Sequence, residues 1–263
     1  MWIKQMPIDY YEHSSSFCNS VMLWKNEKVY VMDNHLSAAW CWLQSCNPKA
    51  KYNFMHIDTH YDMLDWFYDE DLQLLRDNIH ISYGTFENLK RSKEPGKGIG
   101  VFRNDNYIMA VCTIHPDWFH TNIFLTQRKG SLIFSWGHKP PKMNSWESRD
   151  MDSYIDQYVC NPTDGLKAFK EDDYKLPWIV NIDLDVFFTK DDPHVLLYSD
   201  EQIRHTAQLL NKGMPNIQVL TIAMSPDWIG GRTMKEKWNN AFRILKIMAE
   251  EIPYLSEFPF PEN

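Results

Sequence analysis

The sequence predicts an α/β fold, a single three-layer domain with a mostly parallel central sheet. Two observations predict it: short apolar runs typical of covered strands alternate with helical patterns, and polar side chains follow several of those runs. The chain has 263 residues, of which 44% are hydrophobic, so it can bury one large core. Because no internal repeat and no linker interrupts the pattern, we expect one domain over residues 1–263.

Predicted strands lie where β-branched, aromatic and other apolar residues run together. They are 28–32, 52–57, 107–113, 121–126, 131–136, 177–185 and 217–224. Predicted helices alternate with them, at 36–46, 69–76, 163–170, 199–212 and 233–252. The last two begin with capping boxes, Ser199 with Gln202 and Thr233 with Glu236. This alternation is typical of βαβ crossovers, which place functional sites where strands end.

The charge balance argues against a nucleic-acid partner. Lys and Arg number 27 against 35 Asp and Glu, so the formal net charge is -8, which repels phosphate backbones. No stretch is apolar over the roughly 18 residues that a membrane helix needs, and the amino terminus lacks the apolar region of a signal peptide. Five cysteines, an odd number without a CxxC pair, favour reduced thiols. We therefore expect a cytoplasmic protein that binds neither nucleic acid nor membrane.

Three polar clusters follow predicted strands at the carboxyl edge of the sheet. They are Asp33-Asn34-His35, Asp58-Thr59-His60-Tyr61-Asp62 and Asp183-Leu184-Asp185. Side chains two positions apart in an extended chain project to the same side, so each set can converge on one point above the sheet. Any one cluster alone is equally well explained as a helix N-cap or a loop hydrogen-bond partner. Three together indicate metal ligands.

Four carboxylates in one cleft would repel one another unless cations neutralise them. Two divalent ions balance that charge. Carboxylate and imidazole ligands without thiolate suit Mn²⁺, Fe²⁺ or Zn²⁺, and the predominance of oxygen favours manganese. We therefore expect two Mn²⁺ per chain, in preference to Fe²⁺, Co²⁺ or Zn²⁺.

These motifs resemble the binuclear manganese signature of the ureohydrolases, the arginase and agmatinase superfamily. The segments "VMDNHLSAAW", "MHIDTHYDML", "VNIDLDVFF" and "TIAMSPDW" are similar to those of the peptide arginases, which convert arginine side chains to ornithine inside ribosomally made peptides. The likeness runs in order from residue 29 to 228, strong at the DxHxD and DxD elements and loose elsewhere. It implies an arginase/deacetylase-like fold, a hydrolase that releases urea, and an arginine-containing precursor peptide as partner.

Carried over by position, the resemblance implies two catalytic carboxylates that bridge the ions and two further ligands for each ion. These are the bridges Asp58 and Asp183, the pair His35 and Asp62, and the pair His60 and Asp185. A hydroxide between the ions attacks the guanidinium carbon, and the tetrahedral intermediate loses the amine to give ornithine and urea. Asp227 stands where the family carries the catalytic acid that fixes the guanidinium by paired hydrogen bonds. The competing interpretation of Asp227 is an acid that only begins a loop after proline.

The chain departs from the free-arginine enzymes at two points. Asn34 stands directly before the first metal histidine, where those enzymes have Asp, so the surroundings of His35 are expected to differ. After the DxHxD element, residues 63–68 read Met-Leu-Asp-Trp-Phe-Tyr, where those enzymes place small polar residues that hold the α-carboxylate and α-amine. An aromatic and acidic rim suits an arginine presented on a peptide backbone, although the same residues also fit an ordinary core.

Several further residues are candidates by type alone. Those that could protonate the departing amine are His80, His115, His138 and His194, and spacing favours none of them. Asp105 and Asn106, ahead of the predicted strand 107–113, are candidates for substrate contacts. The segment Asp191-Asp192-Pro193 partly resembles an acid-proline pair that follows DxD in ureohydrolases.

Two other functions stay open at the level of the sequence. A mononuclear zinc amidohydrolase of the deacetylase type needs one Asp, His, Asp set, but neither His35 nor Asp185. A non-catalytic module could bind cationic peptides through an acidic cleft. The complete set of six ligands favours the two-ion hydrolase over both. The sequence does not indicate an oligomeric state.

Overall fold

The computed structural model describes residues 1–13, 19–65, 67–77, 80–93, 98–127, 144–146, 151–161, 176–189 and 194–261. Within these residues eight strands form one sheet. The strands are β1 (Trp2–Lys4), β2 (Met22–Asn26), β3 (Val29–Asp33), β4 (Tyr52–Asp58), β5 (Phe119–Thr126), β6 (Asn144–Trp146), β7 (Trp178–Asp183) and β8 (Ile217–Ala223).

The sheet has the strand order β1-β2-β3-β8-β7-β4-β5-β6. The first two pairs, β1 with β2 and β2 with β3, are antiparallel, and every later pair is parallel. The chain thus leaves β3 on one side, builds β4, β5 and β6 on the other, and fills the gap with β7 and β8. The carboxyl ends of the parallel strands consequently share one edge, where sites form in such sheets.

Helices cover both faces of the sheet. They are α1 (Ser37–Ser45), α2 (Gln73–Asp77), α3 (Tyr83–Glu87), α4 (Tyr107–Ile114), α5 (Met151–Tyr154), α6 (Asp200–Gly213) and α7 (Met234–Glu251). Side chains from α1 to α4 pack with Phe54 and Ile179 in one apolar cluster, whereas those from α5 to α7 pack with Met55 and Val180 in a second. Because neighbours along β4 and β7 enter opposite clusters, the sheet is the middle of three layers.

Most predicted elements are confirmed. The strands β3, β4, β5, β7 and β8 lie within a few residues of the strands predicted at 28–32, 52–57, 121–126, 177–185 and 217–224. The Ser199 capping box is complete, with Ser199 and Gln202 bonding each other's backbone. At Thr233 the hydroxyl accepts from the Glu236 amide, but the Glu236 carboxylate accepts from the amide of Arg232 instead of Thr233. Such a cap stabilises a helix by about 1 kcal/mol.

One predicted strand is wrong. Residues 107–113 lie in helix α4, which is buried around nearly its whole circumference. A helix that is apolar on every face shows no helical periodicity, and its Ile and Val residues imitate a covered strand. The predicted region 69–76 is helical but divided, a 3₁₀ turn at Asp69–Leu72 followed by α2. The predicted strand 131–136 and helix 163–170 lie outside the described residues.

Two predictions from composition can be compared with the structure. The described part of the chain contains no helix that is both long and apolar enough to cross a bilayer. The cysteines in that part, Cys41, Cys46, Cys112 and Cys160, are free thiols. Burial raises the pKa of each of them, so they are structural side chains and not reactive thiolates.

Candidate metal centre

The six predicted ligands converge at the carboxyl edge of the sheet. Strands β3, β4 and β7 end at Asp33, Asp58 and Asp183, of which the last two are ligands. The other four ligands follow in the turns just beyond these strands: His35, His60, Asp62 and Asp185. β4 and β7 are neighbours, so Asp58 and Asp183 lie side by side, while β8 separates β7 from the turn that carries His35. Asp185 lies in the 3₁₀ turn Leu184–Phe187 and Asp62 has a left-handed backbone, so turns, and not the extended chain expected from the sequence, bring these side chains together.

The first half of the cluster surrounds His35. Its Nδ1 lies 3.1 Å from Asp62 Oδ2, 3.1 Å from Asp183 Oδ2 and 3.4 Å from Asp58 Oδ2. His35 and Asp58 are buried, and Asp62 is the most exposed of the three carboxylates. Three carboxylate oxygens and one imidazole nitrogen thus face one point.

The second half surrounds His60. Its Nδ1 lies 3.1 Å from Asp185 Oδ2 and 3.4 Å from Asp58 Oδ1. Asp58 is therefore shared: one of its carboxylate oxygens faces His35 and the other faces His60. The His60 side chain is 22% exposed, whereas that of Asp185 is 2% exposed. The cluster consequently opens toward solvent on the His60 side.

Backbone and hydroxyl donors fix the carboxylates. Asp183 Oδ1 accepts from the Asp185 amide at 3.1 Å, and its Oδ2 accepts from Ser225 Oγ at 2.6 Å. Asp58 Oδ1 accepts from the His60 amide at 2.6 Å, and Asp185 Oδ1 accepts from the Thr59 amide at 3.1 Å. Asp58 and Asp185 are each anchored through one oxygen, which fixes the direction of the other, and Asp183 is anchored through both.

Two residues of the centre have left-handed backbone conformations that side chains other than glycine rarely adopt. Asp62 has φ 50° and Ser225 has φ 40°. Each costs of order 1 kcal/mol or more, and such conformations concentrate at functional sites. The strain turns Asp62 toward His35 and Ser225 toward Asp183.

A buried network behind His35 sets its orientation. Its Nε2 lies 2.9 Å from Asn181 Nδ2, 3.2 Å from Asn181 Oδ1 and 3.0 Å from Tyr107 Oη, and Asn181 Oδ1 also accepts from Thr221 Oγ1 at 2.7 Å. When Nε2 carries the proton and donates into this network, Nδ1 presents its lone pair to the carboxylates. Partners of this kind fix the tautomer of metal-binding histidines. Neither Asn181 nor Tyr107 was singled out from the sequence.

His56, which was also not predicted from the sequence, lies in strand β4 and supports the centre from the sheet. Its Nδ1 lies 2.9 Å from Asn181 Nδ2, which donates to it, and its Nε2 donates to the His60 carbonyl at 3.1 Å. Burial lowers the pKa of His56 to about 3, so the ring is neutral. His56 also lies beside Asp58 and Asp62 in a possible ligand group, but both of its nitrogens are already engaged. We therefore assign it a positioning role.

The chemistry of the cluster fits a divalent cation. His35 Nδ1, Asp58 Oδ2 and Asp185 Oδ2 are buried and have no hydrogen-bond partner among the described residues, although each faces the centre. Buried polar atoms without partners are costly unless a ligand satisfies them. The groups that could hold an ion consist of imidazole and carboxylate, a donor set that suits manganese, iron(II) or zinc.

The pKa values report a concentration of negative charge. Burial raises the pKa of Asp58 well above its ordinary value, and the charges of Asp185, Asp62 and Asp183 raise it further. Burial and Asp185 likewise raise the pKa of Asp183. For Asp185 the effect of burial is outweighed by His60, whose contact lowers the pKa.

The pKa values of the two cluster histidines are raised as well. Burial acts to lower the pKa of His35, but the charge of Asp183 raises it well above its ordinary value. Burial also acts to lower the pKa of His60, and contact with Asp185 and Asp58 raises it to about 11. Protons and divalent cations therefore compete for the same negative cluster.

Asp227 lies at the rim of the centre. It belongs to a 3₁₀ turn, Pro226–Trp228, that follows β8, two residues after the Ser225 that bonds Asp183. The next residue, Trp228, is 40% exposed and packs edge-on against His60, with ring centroids 5.1 Å apart. The turn that carries the predicted guanidinium-binding acid therefore contacts both halves of the cluster.

Among the histidines proposed for proton transfer, His194 is the one at this rim. Its ring lies 6.2 Å from that of Trp228, and its Nδ1 bonds the Thr189 carbonyl at 2.9 Å. His115 stacks on Trp118 at the opposite, amino edge of the sheet, so it is wrong as a candidate. His80 is exposed. His138 lies outside the described residues, as does Asp191-Asp192-Pro193.

The other predicted substrate contacts have mainly structural environments. Asn106 is buried, and its carboxamide bonds the Arg103 amide and the Val101 carbonyl, so this part of the hypothesis is wrong. Asp105 pairs with Arg103 at 2.6 Å. In the segment 63–68, Met63 and Phe67 belong to the core, Leu64 and Tyr68 are half-buried, and Trp66 lies outside the described residues.

A scan against protein-family models gives no matching family, and a search of curated proteins gives no match either. Function is therefore inferred from the centre itself.

Proposed function

We propose that this protein is a dinuclear manganese hydrolase that converts arginine side chains of a peptide to ornithine and releases urea. One observation carries the proposal: the two carboxylate oxygens of the buried Asp58 face two different histidines, His35 and His60, each at 3.4 Å. A carboxylate shared in this way would hold two ions at once. The motifs that resemble the peptide arginases contain all three residues.

The charge of the centre supports two ions over one. Four carboxylates, those of Asp58, Asp62, Asp183 and Asp185, lie in contact with His35 and His60, and the third imidazole beside them, His56, is neutral. A single Zn²⁺ would leave about half of that negative charge uncompensated in a buried site. Two divalent ions match it, which favours the hydrolase over the mononuclear deacetylase type. The assignment of Asp183 as the second bridge remains an expectation from the resemblance.

The reaction adds water to the guanidinium carbon and breaks the bond to the side-chain nitrogen. The nitrogen departs as an ammonium group that carries both protons of the water, and the carbon leaves as urea, so atoms and charge balance. Bound divalent ions would supply Lewis acidity and lower the pKa of water at the site. The residues of this chain then have three tasks: binding the guanidinium, moving a proton and excluding bulk water.

Asp227 and His194 are the residues that we assign to the first two tasks. A carboxylate forms paired charge-assisted hydrogen bonds with a guanidinium, and Asp227 is half-buried at the rim. His194 donates from Nδ1 to the Thr189 carbonyl, which leaves its Nε2 available to carry a proton. Trp228, between the His194 and His60 rings, offers an exposed aromatic face over which a cationic side chain can lie.

The peptide form of the substrate is supported by what surrounds this rim. The exposed Trp228 provides apolar contact area there. Backbone-linked arginine needs no group that recognises a free α-carboxylate. We therefore expect an arginine within a peptide to react faster than free arginine.

The test is to load purified protein with Mn²⁺ and incubate it with a synthetic arginine peptide. Conversion appears in the mass spectrum as loss of one CH₂N₂ unit per arginine, together with urea in the solution. The Asp58→Asn variant serves as the inactive control. Turnover of an acetyl-lysine peptide with one zinc per chain would support the deacetylase alternative instead. Peptide binding without any mass change, across Mn²⁺, Fe²⁺, Co²⁺ and Zn²⁺, would leave a binding module.

A further inference from the structure

A groove of about 780 Å³ runs along the outer face of α7. Its floor is formed by side chains one helical turn apart, and its wall by the amino-terminal segment. The residues that define this α7 groove are Tyr10, Tyr11, Lys235, Asn239, Arg243 and Lys246. From Lys235 to Lys246 the helix rises about 16 Å, which matches about five residues of extended peptide.

The α7 groove is cationic although the chain as a whole has a formal net charge of -8. Among the described residues that line it, Asp200 is the one carboxylate, and it is in contact with Arg243. Lys235 and Lys246 form no ion pair with any described residue. Each lies over an aromatic ring instead, Lys235 Nζ 5.8 Å from the ring centre of Tyr11 and Lys246 Nζ 5.4 Å from that of Phe260. An excess of two positive charges therefore faces solvent along the groove.

Apolar surface accompanies these charges. Ile8, which also lines the groove, is 97% exposed, and Tyr11 is 37% exposed. Exposed aliphatic and aromatic side chains beside cations match an occupant that is both acidic and apolar. A peptide segment meets that description, whereas a nucleic acid would bring many phosphates toward a strongly acidic protein.

The groove begins at the same edge of the sheet as the metal centre. α6 and α7 follow β7 and β8 respectively, so the first turns of both helices, including Asp200 and Lys235, lie toward the carboxyl edge. Lys237 Nζ donates to the Asp227 carbonyl at 3.0 Å, which joins the start of α7 to the turn with the predicted guanidinium-binding acid. The groove thus leads away from the rim of the centre.

We propose that the α7 groove binds an acidic, extended segment of the same peptide whose arginine reaches the metal centre. This inference rests on the proposed function, because it assigns the groove to the substrate of that site. Lys235 and Lys246 pair with its carboxylates, and Tyr11 and Ile8 contact its apolar side chains. The groove then raises the affinity for the peptide without contacting the reacting atoms.

The test compares two labelled peptides in fluorescence anisotropy with the full chain. One carries a run of glutamates joined to an arginine by a glycine-serine spacer, and the other has glutamines in place of the glutamates. We expect the glutamate peptide to bind wild type about tenfold more tightly at low salt, with the preference falling as salt rises. In the double variant Lys235→Glu, Lys246→Glu this preference should disappear. Lys51→Glu, the same charge change at an exposed position on the amino edge, should retain it.

Equal affinity of wild type for both peptides would overturn the proposal, and so would an unchanged preference in the double variant. Tighter binding of single-stranded DNA that depends on the same lysines would overturn it too. Self-association that is lost in the double variant would assign the groove to a second copy of the chain and also overturn it. Glutamate peptides with alanine in place of arginine separate this proposal from the proposed function. If no arginine peptide loses CH₂N₂ while the lysine-dependent preference persists, the hydrolase is wrong and the groove still binds acidic peptide.

Discussion

Asp58 and Asp227 differ in what each residue contacts, and that difference can be measured. Asp58 is shared by both halves of the cluster, whereas Asp227 lies at the rim. We expect Asp227→Asn to weaken kcat/KM for an arginine peptide by about 10- to 100-fold, through loss of a charge-assisted hydrogen bond. Its metal content should stay near that of wild type, while Asp58→Asn loses metal and activity together. Loss of metal in Asp227→Asn, measured by elemental analysis, would assign Asp227 a structural role.

Tyr107 tests whether the network behind His35 determines metal affinity. Tyr107→Phe keeps the buried ring but removes the hydroxyl 3.0 Å from His35 Nε2. We expect Mn²⁺ to bind about 10- to 100-fold more weakly, as is usual when a partner of a metal-binding histidine is removed. Titration calorimetry measures this affinity.

The matched control is Tyr30→Phe, which removes another buried hydroxyl, bonded to Ser45 Oγ at 2.9 Å and distant from the centre. Both variants should lose about 1 kcal/mol of unfolding free energy. Only Tyr107→Phe should lose metal affinity. Equal affinities in the two variants would restrict Tyr107 to a packing role.

The ligands themselves could be predicted from the sequence, but their support only in part. His35, Asp58, His60 and Asp62 stand out because they follow strands as polar residues. His56 and Asn181 were not predicted, although each lies two positions before a ligand, Asp58 or Asp183, on the same face of its strand. No sequence pattern indicated Tyr107, because it lies in helix α4, and the position of a helix against the sheet depends on tertiary packing.

At the scale of elements, periodicity predicted a strand or helix where one face differed from the other or where a cap marked the boundary. The capped helices α6 and α7 illustrate this, since Ser199 and Thr233 each accept a hydrogen bond from the first turn. The prediction for α4 was wrong because this helix is apolar on nearly every face. The short strands β1 and β2 were missed because an antiparallel edge pair of this length has little sequence pattern of its own.

The end of α4 provides a prediction on pH. His115 caps this helix and stacks on Trp118, with ring centroids 4.0 Å apart, and its Nε2 has no hydrogen-bond partner among the described residues. Burial lowers the pKa of His115 to about 4. The unfolded chain therefore takes up a proton near pH 6.5, before the folded chain does, and stability falls as the pH drops from about 6.5 to 4.

His115→Phe keeps the stacked ring and cannot titrate. We expect the unfolding free energy of this variant, measured in urea, to fall less steeply between pH 6.5 and 4 than that of wild type, and to show no such difference in slope above pH 7. Parallel pH profiles would mean that the folded protein accommodates the charged ring.

For the molecule as a whole, the metal centre links distant parts of the chain. His35 and Asp58 lie in the first quarter of the sequence, and Asp183 and Asp185 follow in the last third. Ions bound by all of them stabilise the folded state alone. At a free concentration of one hundred times Kd, one such ion adds about 2.7 kcal/mol.

We therefore expect Mn²⁺ to raise the melting midpoint by about 5 to 10 °C, measured by differential scanning calorimetry. Asp58→Asn should show no increase, and chelation should return wild type to its original midpoint. A shift of the same size in Asp58→Asn would place the ion elsewhere on the protein.

The position of β7 and β8 in the middle of the sheet has a consequence for biosynthesis. A chain interrupted before these strands would present β3 and β4 with unpaired edges and would have only four of the six ligands, without Asp183 and Asp185. The same late segment thus hides those edges and completes the ion cage. An unfinished product would lack the two ligands that β7 brings and, at the same time, be recognisable to proteases and chaperones as incomplete.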